Sequence, residues 1–362
     1  MLICIGDGIR DSLINEKCPA LVNLCESLNL ETNYNFTPYD VVYFIRHVSI
    51  AIGCKNACAH CFSDAPLKVT QTSLPGFCKI INEIGYILKQ TNEPLSFFHL
   101  GASNDPASIK NYYTYLETWR NAMPDFQTIK VFTHGWMLEE EDQAMEFENF
   151  LQVIDKYENI KIVISFNEFS SQARKDWNLY VENVVENLTR IVNVVGKNRI
   201  RVEVFYTPHR KICKPHSTLQ YWRNRVFLDK SISLNEMIGY CNNSHDPCTN
   251  CLKVTTGILD VFLKSQLSAS DLIDMTRDCD SIFPGGRGKQ FFKKLPKEYI
   301  QMGLEIQEQR VLYSLKNYKH KYNGLIINPD GTASLVDYQG FVIGKSINGG
   351  KKVISYMSIE NT

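Results

Sequence analysis

Three thiols, Cys54, Cys58 and Cys61, fall inside one short stretch, "IGCKNACAHCF", residues 52 to 62. Soft thiolates hold iron-sulfur clusters or zinc, and they also act as nucleophiles and redox pairs. A lone C-x-x-C is half a zinc knuckle or a redox pair. Two further thiols at these offsets arise by chance in only about one chain in eighty of this composition. A structural zinc closes its shell with four ligands, and this loop offers three. His60 is adjacent to Cys61 and so is expected to point away from it. A 4Fe-4S cluster has four irons, so three local thiolates leave one iron open to a substrate or cofactor. A thioredoxin-like pair at Cys58 and Cys61 fits neither the strand order nor Cys54.

A second group lies downstream in "YCNNSHDPCTNCLKV", where Cys241, Cys248 and Cys251 form a C-x6-C-x2-C run. Its fourth ligand would be Cys213, Cys279 or His245. The run is a candidate for a second 4Fe-4S cluster or a zinc ion, with ordinary free thiols as the plain alternative. Cys213, beyond the fifth strand candidate, is open to a reading as a reactive thiol or radical relay. Cys4, Cys18, Cys25 and Cys78 read as small packing residues. His47, His99, His134 and His209 sit in or at the ends of strand candidates, where a satisfied core histidine is the plain reading, and His134 alone takes a position at the mouth. The basic stretch "PGGRGKQFFKKLPK" (284 to 297) carries Arg287, Lys289, Lys293, Lys294 and Lys297, enough to hold a carboxylate-rich peptide or a phosphate, although such loops are usually only solvated.

The elements that must position these groups follow from hydrophobic periodicity. Five runs rich in β-branched and aromatic residues read as strands: 48–53, 96–101, 129–135, 161–167 and 200–206. Between them Ile80, Ile81, Ile84, Ile87 and Leu88 share one helical face, as do Ile109, Tyr112, Tyr113, Leu116 and Trp119. Val181, Val184, Val185, Leu188, Ile191 and Val192 form a third. Strand, helix, strand at these intervals implies βαβ units with parallel strands, in a barrel or an open sheet. Ligands gather where such strands end, and the ends here carry the three thiols, "GASNDP", "THG", "SFNE" and "YTPHR". After about residue 212 the pattern changes to a Cys-containing loop region and a helix near 298–316. "GLIINPDGTASLVDY" then places Asn-Pro-Asp-Gly between two apolar runs as a hairpin turn.

The 362 residues balance 39 Lys and Arg against 39 Asp and Glu, which gives no general field for nucleic acid or an anionic membrane. A 44% hydrophobic, 22% charged composition argues against disorder or a fibre. The beginning, "MLICIGDGIRDSLINEKC", shows no basic leader with an apolar core, and no later run approaches a membrane span. A cytoplasmic location is therefore expected, with twelve cysteines serving as thiols or ligands rather than a disulfide framework.

Cys54-x3-Cys58-x2-Cys61 after the first strand resembles the defining motif of the radical S-adenosylmethionine superfamily. "LGASNDP" (100 to 106) is similar to that family's Gly-Gly-Glu-Pro segment, "FTHGWML" to its Thr-Asn-Gly strand end, and "ISFNEFSSQARKDW" to its Ser-Leu-Asp-Gly stretch. These matches run in order over residues 45 to 210. The family's aromatic residue before the third Cys is His60 here, and the Gly-Gly-Glu-Pro glutamate has no clean counterpart.

The resemblance implies an α/β fold, a partial (β/α)6 TIM-like barrel with parallel strands plus a smaller C-terminal α+β extension. Its parts would be an N-terminal extension over 1–40, the core over 41–230, and an extension over 231–362 similar to the SPASM or twitch type with its auxiliary metal site. It implies a 4Fe-4S cluster on Cys54, Cys58 and Cys61 whose fourth iron chelates S-adenosyl-L-methionine. Gly101, Ala102 and Asp105 would approach the methionine moiety, Ser165 and Asn167 the ribose or carboxylate, and Arg174 the carboxylate. Implied partners are a one-electron reductant such as flavodoxin or ferredoxin and a ribosomal peptide or natural-product substrate, with a nucleoside or sugar as the alternative. From a different class, a non-catalytic zinc or iron-sulfur binding module stays open.

Overall fold

The computed structural model describes residues 13–32, 35–61, 65–95, 99–100, 104–135, 141–205, 233–243, 249–279, 287, 322–337 and 352–355. The elements are, in order, α1 (Pro19–Thr32), α2 (Pro38–Phe44), β1 (Ile45–Val48), β2 (Ala51–Ile52), β3 (Thr70–Gln71), α3 (Leu74–Thr91), β4 (His99–Leu100), α4 (Tyr112–Ala122), β5 (Ile129–Thr133) and α5 (Glu141–Lys156). They continue with β6 (Ile160–Phe166), α6 (Ser171–Lys175), α7 (Trp177–Val195), β7 (Ile200–Phe205), α8 (Leu234–Asn243), α9 (Thr249–Lys264), α10 (Ala269–Met275), β8 (Thr276–Cys279), β9 (Tyr322–Ile327), β10 (Thr332–Asp337) and β11 (Lys352–Ser355).

The chain is mixed α/β, built on one sheet of order β11-β10-β9-β1-β4-β5-β6-β7-β8. Each neighbouring pair from β1 to β8 is parallel, so each needs a crossover, and amphipathic helices supply them. All of these strands therefore end at the same edge. The order from β1 to β8 has no reversal of the kind that marks a doubly wound sheet.

Alternation sets the faces. In β7 Ile200, Val202 and Val204 are buried while Arg201 is exposed, and in β5 Ile129, Val131 and Thr133 are buried while Lys130 is exposed. The helices cover the buried set. All five residues expected on the first helical face, Ile80, Ile81, Ile84, Ile87 and Leu88, are buried in α3, each worth about 1.5–3 kcal/mol of hydrophobic stabilisation. Ser73 caps α3 by accepting from Gly76 N, and Asn92 ends it in the left-handed region at φ 55°. Gly85 lets α3 and α4 approach closely, since a Cβ there would stand 2.2 Å from the Ala122 carbonyl oxygen.

Four of the five expected strands lie near their expected places, and the first is shifted. The sheet strand is Ile45–Val48, directly after α2. Residues 51–52 turn away to pair with Thr70–Gln71. Arg46 and His47 hide this strand from an apolar-run reading. The hairpin at Asn328–Gly331 forms as expected, but β9 pairs in parallel with β1, so the boundary near 230 marks no break in the sheet. Part of the expected loop region after residue 212 is helical, as α8, α9 and α10. The expected helix near 298–316 lies outside the described residues, and no described helix is long and apolar enough to cross a membrane.

Candidate metal centre

The stretch carrying Cys54, Cys58 and Cys61 follows β1 and β2, at the edge where the parallel strands end. Its entry depends on Gly53, which has φ +106° and where a Cβ would meet the Lys68 carbonyl oxygen at 2.2 Å. Ala57 is held at φ 44°, a conformation that costs a non-glycine residue about 1 kcal/mol or more. Bonds from distant segments hold it there. Cys54 N donates to Pro66 O at 2.8 Å, Lys55 N to Ser108 Oγ at 3.0 Å and Ala59 N to Phe169 O at 2.8 Å. Asn56 O accepts from Ser171 N at 3.0 Å and Ala57 O from Arg174 Nη2 at 3.1 Å. Cys58 O and Cys61 O both accept from Arg287.

The three cysteines form no disulfide, Cys58 being buried and the other two partly so. Cys54 Sγ lies 3.7 Å from Ser108 Oγ, and Cys58 Sγ lies 3.3 Å from His134 Nε2. Behind His134 stands Asp105, whose Oδ2 is 3.3 Å from His134 Nδ1 and accepts from His134 N at 2.6 Å. Thr133 Oγ1 and Ala107 N donate to the same carboxylate. Burial alone opposes charge on His134, but the Cys58 sulfur and the Asp105 carboxylate override it and hold the imidazole well above its ordinary pKa. Burial first, and then Asp105, pushes the Cys54 thiol up. His60 packs on Phe169 and Phe205, and burial, with His134 and Arg287 nearby, pushes it down to about 3, so it is neutral.

Sequence reasoning placed Asp105, Asn167 and Arg174 against a ligand, and the structure occupies all three with holding loops. Asp105 is 4% exposed and takes the four donors just named. Asn167 is fully buried; its Oδ1 accepts from Phe169 N and Ser170 N, and its Nδ2 donates to Ser165 O. Arg174 donates to Ser170 O and Ala57 O. Ser165, buried near the end of β6, faces the same strand edge. Gly101, Ala102, Cys213, His245 and Cys248 lie outside the described residues, as do the side chains of Cys241, Cys251 and Cys279, whose backbones belong to α8, α9 and β8. Sequence reasoning missed Ser108 and undervalued Arg287. Nothing in either local pattern marks it, because both act across long sequence separations.

Among the described residues no three His, Cys, Asp or Glu side chains converge as they would around a single metal ion. A four-iron cluster asks for a different spacing, since each thiolate takes a different iron and the sulfurs stand further apart. The donor set fits that group: three cysteines outside any disulfide on one externally pinned turn, with buried Asn104 Oδ1 and His60 Nδ1 lacking hydrogen-bond partners among the described residues. No family model matches the chain, and no curated protein matches it.

Proposed function

We propose that the protein is a radical S-adenosylmethionine enzyme in which Cys54, Cys58 and Cys61 hold a 4Fe-4S cluster. The observation that carries this reading is the loop of three cysteines, none in a disulfide, pinned from outside where the first parallel strand ends. The unbroken parallel order from β1 to β8 supports the finer fold, a partial (β/α)6 TIM-like barrel with its mouth at that edge. Cys54, Cys58 and Cys61 would hold the cluster, which would supply the electron for reductive cleavage of S-adenosyl-L-methionine and so the means of taking hydrogen from a substrate. The chain's own residues bind and orient. His134 hydrogen-bonds the Cys58 sulfur, Asp105 fixes the imidazole, and Asn167 shapes the turn behind Ser165. Gly101, Ala102 and Ser165 line the S-adenosylmethionine side in this reading. The substrate is a ribosomal peptide or natural-product intermediate, and a flavodoxin or ferredoxin in the cytoplasm delivers the electron. Cys241, Cys248 and Cys251 hold a second 4Fe-4S cluster or zinc.

A second reading comes from one geometry. Cys58, His134 and Asp105 stand in the sulfur, imidazole, carboxylate order of a nucleophilic thiol. Anaerobic reconstitution with iron and sulfide, reduction, and addition of S-adenosyl-L-methionine separates the two. The wild type is expected to form 5'-deoxyadenosine, measured by mass spectrometry, and Cys54→Ala to fall to background. A wild type that binds no iron and forms none would overturn the first reading in favour of the second.

A further inference from the structure

Arg287 belongs to the Gly-rich basic stretch that reads in sequence as a solvated or anion-binding loop. In the structure it turns toward the thiols. Its Nε donates to Cys58 O at 3.0 Å, its Nη1 to Ala65 O at 2.9 Å, and its backbone N to Cys61 O at 3.0 Å. One residue thus takes three carbonyls of the thiol loop, two of them on cysteines, from more than 220 positions along the chain.

We propose that Arg287 is a positioning residue that locks the thiol loop and fixes a positive charge beside it. The planar guanidinium reaches the carbonyls of residues 58 and 65 together with donors at set angles, which a lysine ammonium does not reproduce. Without the side chain, the carbonyls of Ala65 and Cys58 lose those bonds, Cys58 O keeping its bond from Cys61 N at 3.1 Å, while the bond from the residue-287 backbone N to Cys61 O does not depend on the side chain. Arg174 makes the instructive contrast, since its exposed side chain takes only the Ala57 carbonyl in this loop. The fold therefore ties residue 287 to the loop after β1, so that displacement at one end loosens the other. Any cation beside a cluster favours its more negative, reduced form, so Arg287 raises the reduction potential. That last consequence rests on the proposed function, whereas the locking of the loop does not.

The test begins with metal-free protein. Iodoacetamide labelling of Cys58 and Cys61, followed by mass spectrometry, is expected to run about tenfold faster in Arg287→Met than in wild type, because hydrogen bonds from a charged donor no longer hold the loop closed. Arg287→Lys should label nearly as fast, having charge without the fork. Cys18 is the internal reference for folding, and its labelling should stay slow in all three proteins. Rates within twofold of wild type at Cys58 and Cys61 in both variants would overturn the locking role. In reconstituted protein the potential should become more negative in Arg287→Met and return toward wild type in Arg287→Lys. An unchanged potential in Arg287→Met would overturn the electrostatic part. Failure of every protein to take up iron would remove the proposed function while leaving the labelling result to judge Arg287.

Discussion

Cys18 and Cys25, beside and within α1, and the three thiols of the 54–61 loop all stand outside disulfides, yet their surroundings suit opposite ends. Cys18 is fully buried and lies 3.8 Å from the Glu83 carbonyl oxygen, and Cys25 Sγ donates to Phe36 O at 2.8 Å while also lying 3.6 Å from the Asn29 Nδ2 donor. A carbonyl only accepts, so it favours the protonated thiol. In the loop Cys54 meets a hydroxyl and Cys58 an imidazole, groups able to donate to a thiolate. Burial raises the Cys54 thiol as well, so pKa direction alone does not separate the two sets. What separates them is a backbone pinned from outside in the loop and, at Cys18, the partner chemistry as well. Core thiols behave as small hydrophobes, and the loop thiols Cys54 and Cys58 face groups able to donate to a thiolate.

The sharpest way to break that contrast is to count iron. Cys54→Ala, Cys58→Ala and Cys61→Ala should each lower the iron of reconstituted protein by about four per chain. Cys18→Ala and Cys25→Ala should leave it unchanged. Equal losses in both sets would erase the distinction.

Two glycines sharpen it at the level of backbone. A Cβ at Gly85 would press on Ala122 O in the core, and one at Gly53 on Lys68 O at the loop entry, each at 2.2 Å. Gly85→Ala should cost about 1–3 kcal/mol of stability, seen in urea unfolding, with iron per folded chain retained. Gly53→Ala carries φ strain as well and should cost a similar amount, about 1–3 kcal/mol, while also lowering iron uptake. Retained iron in Gly53→Ala would show that the turn at residue 53 does not set the loop.

The parallel α/β architecture was legible because the apolar residues of α3 and α7 recur at helical spacing and β5, β6 and β7 are dense in β-branched residues. β1 was not legible, since Arg46 and His47 interrupt it and its place is set by pairing with β4 and β9. The loop thiols announced themselves by local spacing. Asp105, Asn167 and Arg174 were legible as polar residues at strand ends, but the groups they bond within the chain were not. Whether a carboxylate or amide faces a ligand or a neighbouring backbone depends on which donors folding brings to it. Thr133 and His134 reach Asp105 across 28 and 29 residues, and Arg287 reaches Cys58 across 229. Such contacts leave no periodic trace.

The smallest effect tests the inert set directly. Burial, with Glu83 adding to it, pushes the Cys18 thiol up from 9.0 to about 12, and burial first pushes Cys25 up to about 11. A folded-state pKa above the unfolded one gives stability that is complete below pH 9 and lost as pH rises through the folded value. Cys18→Ala should therefore be less stable than wild type by about 1 kcal/mol at pH 8, from the lost sulfur packing. That deficit should shrink as pH rises above 9 and then reverse in sign before pH 12, because only the wild type must keep a thiol neutral that the unfolded chain ionises. Cys25→Ala should follow the same course over the narrower window from pH 9 to 11. Urea midpoints of variant and wild type compared at each pH cancel the titration of every other group, and a deficit constant from pH 8 to 10.5 would mean that these thiols are not held neutral by the core.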